Sequence, residues 1–236
     1  MVNADTKYKI DRLKLITYKG QKKKVLFDLR CRYLAKSQLV KCNAQHKKIE
    51  FANFRGSRFK KVNFDNTQII GNDFWGTTFR DCSFKNAVIS DCVFMSCILK
   101  NCDFTGAKFN YTTIVNTNLA DCKNMDIAHD VNVLKEYPKN KISAELAFAL
   151  DKLKDNKNIR KNKLLHLPNN RYNELNLFLL LKKIGQSKLA SLLLALNEKS
   201  TKNVTTYKKL ELELKKIIKE GYNSSVPPHA IERLRS

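Results

Sequence analysis

From Phe54 to Leu119 every fifth residue of the chain is large and apolar. The series runs Phe54, Phe59, Phe64, Ile69, Phe74, Phe79, Phe84, Ile89, Phe94, Leu99, Phe104, Phe109, Ile114, Leu119. Nine of the thirteen phenylalanines lie on it. Two residues before each of these stands a smaller side chain, such as Ala52, Thr67, Cys82 or Thr112. A period of five fits neither a helix at about 3.6 nor a strand at about 2, so the stretch must be a repeat in its own right. The register extends backward more weakly through Ile49, Ala44, Leu39 and Leu34, with Cys42 and Ser37 in the small slots and Lys47 breaking the rule. It stops where Asn124 takes the next apolar slot.

Units such as Cys82-Ser83-Phe84-Lys85-Asn86 and Cys102-Asp103-Phe104-Thr105-Gly106 resemble the pentapeptide-repeat family, whose unit has a small residue, a polar one and a central Leu or Phe. The resemblance covers about ninety residues. It implies a β-solenoid, a right-handed four-sided pentapeptide-repeat β-helix with four units per coil. Two departures bear on the surface and leave the fold intact. Asp or Asn precedes the central residue only at Asn53, Asn63, Asp73, Asp103 and Asn118, and Cys or Thr often replaces Ala. With a coil of twenty residues, side chains twenty apart stack at about 4.8 Å, the spacing of neighbouring strands. Phe54, Phe74, Phe94 and Ile114 then form one internal column, and Phe59, Phe79, Leu99 and Leu119 a second. Phe64, Phe84 and Phe104 form a third, and Ile69, Ile89 and Phe109 a fourth.

The flanks differ from the repeat. Residues 1–30 read as an N-terminal β-hairpin cap, with Tyr8, Ile10, Leu13, Leu15 and Ile16 before the polar turn Lys19-Gly20-Gln21-Lys22 and Val25, Phe27 and Leu29 alternating after it. Such a hairpin would cover the unpaired end rung of a solenoid over 31–125. Residues 126–236 read as a basic α-helical domain. Helices are expected over 143–155 with Ser143 as N-cap, 173–184 stopped by Gly185, 187–198, and 206–220 closed by Gly221. A lysine- and asparagine-rich connector ends at Pro168, and Pro227-Pro228 opens a short last helix. The expected fold class is therefore a β-solenoid followed by an α-helical C-terminal domain.

Charge and cysteine usage narrow the function. The formal net charge is +23, distributed as +10 over residues 1–50, +2 over 51–122 and +11 over 123–236. An anionic partner would meet the flanks before the repeat. Six of the seven cysteines, Cys42, Cys82, Cys92, Cys97, Cys102 and Cys122, fall in the small-residue slots, where a thiol acts as a small buried hydrophobe. Core thiols of this kind suit a reducing, cytoplasmic setting. The N-terminus lacks an apolar core of signal-peptide length, and the most apolar stretch, 175–196, is interrupted by Lys182, Lys183 and Lys188, so no membrane span is expected.

Catalytic chemistry finds no support. His46, His129, His166 and His229 are scattered without ligand spacing, and seven glycines supply no phosphate loop. Asp81, Asp91 and Asp121 sit at corner positions that suit Asp for the turn itself. No enzyme, cofactor or metal is expected. The expected partner is a protein. On one outward face Trp75, Met95 and Val115 share a slot on consecutive coils, with Val93 beside them and Ile70 and Tyr111 near the preceding corner. Such an apolar strip is either an interface or a surface covered by the chain's own helices. Nucleic acid is the alternative partner, through Lys22, Lys23 and Lys24 in the first turn and Lys208, Lys209, Lys215, Lys216 and Lys219 on the helix over 206–220. That helix with its lead-in from Gly185 loosely resembles a helix-turn-helix. Quinolone-resistance members of the family protect gyrase and topoisomerase by mimicking DNA. A repeat at +2 lacks the acidic surface such mimicry needs. A bacterial effector or defence role is a further alternative. The pattern sets no oligomeric state.

Each buried phenylalanine contributes about 1.5–3 kcal/mol. Phe84→Asp would place an unpaired charge in the column of Phe64 and Phe104. It is expected to abolish the cooperative thermal transition seen by circular dichroism; a retained melt would mean the register is wrong.

Overall fold

The computed structural model describes residues 12–221, which form two compact units. One holds the chain up to Tyr137 together with Thr205–Lys208, and the other holds Pro138–Val204 and the chain from Lys209 onward.

In the first unit the repeat closes into a four-walled parallel solenoid. Phe59 lies opposite Phe79, and Phe79 opposite Leu99, so one coil takes twenty residues. The first wall joins Lys14–Ile16, Gln38–Val40, Arg58–Lys60, Thr78–Arg80 and Ile98–Lys100. The second is held mainly by single bridges, Val25 to Asn43, Asn43 to Asn63, Asn63 to Ser83 and Ser83 to Asp103. The third joins Leu29–Arg30, Lys48–Glu50, Gln68–Ile70, Val88–Ser90 and Lys108–Asn110. The fourth joins Asp73–Trp75, Val93–Met95, Thr113–Val115 and Asn132–Leu134. A three-residue strand is about 10 Å long, which sets the width of each wall. Between walls the chain turns at a residue in the left-handed region, as at Lys61 (φ 53°), Asp81 (φ 53°), Asn101 (φ 51°) and Asn66 (φ 56°). Asn and Asp tolerate that conformation better than most side chains.

The interior is a stack of rings. Phe64 and Phe84 lie 4.9 Å apart and Phe84 and Phe104 4.8 Å, within 9° of parallel. Adjacent columns meet edge to face, as between Phe54 and Phe59 at 5.3 Å and 80°. Both are favoured geometries for aromatic pairs. The small slots do more than save space. Thr77 Oγ1 donates to Phe54 O at 2.9 Å, Thr67 Oγ1 to Ala44 O at 2.7 Å, and Asn72 Nδ2 to Ile49 O at 2.7 Å. Each of these slots lies inside the solenoid, so a polar side chain there is satisfied by the backbone of the preceding coil. All seven cysteines are free thiols.

The two ends depart from the sequence reading. Tyr8 and Ile10 lie outside the described residues. The rest of the expected hairpin does not pair with itself: Leu15 sits opposite Leu39 and Leu29 opposite Ile49, both in parallel register. This stretch is a first coil, with the polar turn at 19–22 set into it. The alternation of apolar residues is common to both arrangements, and only the partner strand separates them. At the other end, pairing continues past residue 125. Cys122 pairs with Cys102, and Val133 with Ile114 at a spacing of nineteen residues. That one-residue offset hides the last rung from a strict five-residue count.

The second unit is helical. Helix α1 (Ala144–Lys152) begins at Ser143, whose Oγ accepts from Leu146 N at 3.3 Å. A short α2 (Lys157–Lys161), capped by Asn156, and an antiparallel pair, His166–Leu167 with Arg171–Tyr172, occupy what reads as a connector in the sequence. Helix α3 (Glu174–Ile184) starts at Asn173 and ends at Gly185, and α4 (Gln186–Asn197) follows directly. The last described helix, α5 (Tyr207–Lys219), begins in the first unit and continues in the second. Leu150, Leu164, Leu177, Leu193 and Leu210 are fully buried. The expected helix at Pro227-Pro228 lies outside the described residues.

Gly71 and Gly76 both hold left-handed corners, at φ 62° and 60°. A Cβ at Gly71 would lie 2.7 Å from the Phe51 ring, whereas one at Gly76 meets nothing within 4 Å. Since Asn accepts the conformation at either site, Gly76→Asn should melt within about 2 °C of wild type and Gly71→Asn several degrees lower. Equal melting temperatures would show that Phe51 yields freely.

Candidate functional site

The corner between the third and fourth walls departs most from the repeat. Phe51, Gly71, Asp91 and Tyr111 turn it at φ 51°, 62°, 55° and 48°. Asn53, Asp73, Val93 and Thr113 follow as the first outward residues of the fourth wall. The first unit's other segment, Thr205–Lys208, docks here. Thr205 Oγ1 donates to Phe51 O at 2.6 Å, and Asn53 Nδ2 donates to Thr205 O at 3.1 Å. Tyr207 N donates to Asp73 Oδ2 at 3.0 Å, and Lys208 Nζ lies 2.8 Å from Asp91 Oδ1. Gly71 lets this segment approach, since a Cβ there would stand 3.2 Å from Lys208 Cβ. Asp73, which reads in the sequence as one of the usual acidic residues before a central Phe, is thus the acceptor for the first amide of α5.

Asp73 is also the most perturbed carboxyl of this corner. Burial pushes its pKa up to about 7, against the Tyr207 hydrogen bond and the positive charge of Arg55, which lower it. Its Oδ1 has no hydrogen-bond partner. Arg55 itself lies over the Trp75 ring, 3.6 Å from its centroid, and Tyr137 stands 6.1 Å from that ring on centroids.

The expected apolar strip divides under this arrangement. Val93, Met95 and Val115 are buried, at 6, 7 and 0% exposure, and offer no surface to a partner. Ile70 and Trp75 are half-buried. Tyr111 is open at 71%, with its backbone amide donating to Asp130 Oδ2 at 3.1 Å. Of the six, only Tyr111 keeps the expected exposure.

The expected lysines divide too. Lys22, Lys23 and Lys24 are exposed. Lys208 pairs with Asp91. Within the second unit Lys209 and Lys216 both reach Glu213 Oε1, at 2.9 and 3.1 Å, and Lys215 lies 2.7 Å from Glu211 Oε1. The buried Glu211 also takes Lys183 at 3.0 Å. Of the five α5 lysines, Lys219 alone has no ion pair among the described residues.

The buried thiols shift in both directions, and the Cys82 hydrogen bond lowers the pKa of Cys102. Burial pushes Cys97 up to about 12 and raises Cys82 and Cys92, which keeps them protonated and poor nucleophiles. Burial also lowers the pKa of His166. Among the described residues no group of three or more His, Cys, Asp or Glu side chains could hold a metal ion, and no helix is long and apolar enough to cross a membrane.

The pentapeptide-repeat family matches this solenoid in eight copies, over residues 49–86 and 87–123. Residues 49–123 are pentapeptide repeats. Solved structures of pentapeptide-repeat proteins align with part of the chain. QnrB1, a plasmid-mediated fluoroquinolone resistance protein, aligns at 21% identity over 47% of this chain and 55% of its own, with a TM-score of 0.41. The chain thus spans little more than half the length of that protein. The pentapeptide repeat protein alr5209 from Nostoc Pcc 7120 aligns at 17% identity over 43% of this chain and 84% of its own, with a TM-score of 0.37. Rfr23 from Cyanothece 51142 aligns at 12% identity over 51% and 84%, with a TM-score of 0.20. No curated protein matches the chain.

A carboxyl whose pKa is raised on folding adds stability below its unfolded value, near 4, and loses that contribution as pH rises through about 7. Asp73→Asn keeps an acceptor for Tyr207 N without the charge. Wild type should therefore lose stability relative to Asp73→Asn between pH 5 and pH 8, measured by urea melts. A difference independent of pH would place the Asp73 proton elsewhere.

Proposed function

We propose that this pentapeptide-repeat protein is a non-enzymatic scaffold that docks a protein partner on outward side chains of its solenoid. The observation that carries the reading is Tyr111, an aromatic side chain 71% exposed on a corner whose backbone is fixed from both sides. Tyr111 N is held by Asp130, and the Asp91 amide one coil earlier donates to Asn110 O at 2.9 Å. An aromatic ring held in solvent on a rigid frame offers large contact area at small entropic cost, the pattern of interface anchors. The interior supports the non-catalytic part of the reading, because stacked Phe, Leu and Ile side chains fill it.

Protection of gyrase by DNA mimicry is not proposed. Mimicry requires a strongly acidic surface, whereas the first wall carries Arg58, Lys60, Arg80 and Lys100 outward. Reduced core thiols favour a cytoplasmic setting for the scaffold.

Immobilised full-length protein should retain a partner from a cell extract in stoichiometric amount, and Tyr111→Glu should lose it at least tenfold. Ile98→Glu, on another wall, should retain it. Equal recovery with Tyr111→Glu, at an unchanged melting temperature, would overturn the docking site.

A further inference from the structure

The solenoid's near-neutral sequence conceals a polarised surface. Lys60 stands opposite Arg80, and Arg80 opposite Lys100, on consecutive rungs of the first wall. Arg58 lies across the strand from Lys60, and Lys61 and Lys41 turn the corner beside them on successive coils. All six are exposed. Between residues 51 and 122 the chain has eight basic side chains, and five of them are on this wall and its corner.

Several cations elsewhere on the solenoid are paired. Arg30 and Lys48 both reach Glu50 at 3.4 Å, Lys85 reaches Asp103 at 3.4 Å, and Lys208 reaches Asp91. The six first-wall cations have no ion pair among the described residues. Asp81, the acid at the same corner, accepts from Asn101 Nδ2 at 3.2 Å. Like charges directly opposite on adjacent strands, about 4.8 Å apart, destabilise a sheet. Lys60, Arg80 and Lys100 therefore weaken the fold that displays them.

We propose that the first wall binds the phosphodiester backbone of nucleic acid through Lys60, Arg80 and Lys100, with Arg58, Lys61 and Lys41 flanking them. Three rungs span about 10 Å, a distance over which one strand of a duplex presents about three phosphates. The three cations are exposed and recur on successive rungs, which suits a polymer of regular charge. Among the described residues the wall's strands expose no aromatic side chain and Ile98 as their one large aliphatic side chain, so an acidic protein interface fits less well. Lys and Arg side chains on phosphates fix position without reading sequence, and binding is sequence-independent. This site is separate from Tyr111, and the two stand or fall independently.

The test uses the full-length protein and a fluorescein-labelled 20-base-pair duplex of arbitrary sequence, with anisotropy read from about 25 to 200 mM NaCl. Wild type should bind, with log K falling linearly against log salt at about 0.9 per phosphate engaged. The triple variant Lys60→Ala, Arg80→Ala, Lys100→Ala should bind at least tenfold more weakly at 50 mM, with the slope lower by about 2 to 3. The triple variant Lys215→Ala, Lys216→Ala, Lys219→Ala should leave the slope unchanged. Should the first triple variant fail to melt cooperatively, Lys100→Gln alone should lower the slope by about one. Absence of wild-type binding at 25 mM overturns the proposal. So does an unchanged slope in a folded wall variant, or competition by polyglutamate as effective as by unlabelled duplex at equal charge.

Discussion

Every coil of this protein depends on the match between a residue and the one twenty positions later. The backbone hydrogen bonds of the solenoid run between coils: Phe54 N donates to Asp73 O, Phe64 N to Ser83 O and Phe84 N to Asp103 O, each at 2.7–2.9 Å. A slip of one residue would move every Phe out of its inward slot. Ring stacking and the polar small slots reinforce the same register, since Thr67, Asn72 and Thr77 each satisfy a carbonyl of the coil before. Close packing and hydrogen bonding therefore specify one alignment, and neither could be changed alone.

That regularity makes the exceptions informative. Where the repeat would place another polar wall residue, Asp73 accepts an amide from a segment more than a hundred residues later. Gly71 sits where a side chain would collide with Phe51. Thr205 completes the corner by bonding Phe51 O while its own carbonyl takes Asn53 Nδ2. None of these residues breaks the five-residue rule, because all occupy outward positions that the rule leaves open. The surfaces proposed for binding lie in the same outward set: a solenoid core constrains one side of each strand and leaves the other free to vary.

The outward positions also separate two kinds of charge. On α5, Lys209, Lys215 and Lys216 face Glu211 and Glu213 on neighbouring turns, as expected of a solvated helix face. On the first wall the cations lie one above another with no acid between Lys60, Arg80 and Lys100. Net charge over the stretch is small in sequence because its acids, Asp81 and Asp121 at the corner and the others farther off, lie outside the strands that carry the cations. Spatial sorting by wall, with a period of twenty, is invisible to a running sum.

The repeat, its inward residues and their columns are legible in the chain's five-residue period, because a strict period acts locally and needs no distant partner. Helices expected over 143–155, 173–184, 187–198 and 206–220 form as 144–152, 174–184, 186–197 and 207–219, the first and second started by Ser143 and Asn173 within one turn. Other features depend on partners distant in the chain. Leu15 and Leu29 became a first coil because their strands found Leu39 and Ile49 instead of each other. Burial of Val93, Met95 and Val115, and the raised pKa of Asp73, arise from packing that outward slots do not encode. The open ladder of Lys60, Arg80 and Lys100 exists only once the coil closes, because twenty residues of chain become one rung of about 4.8 Å.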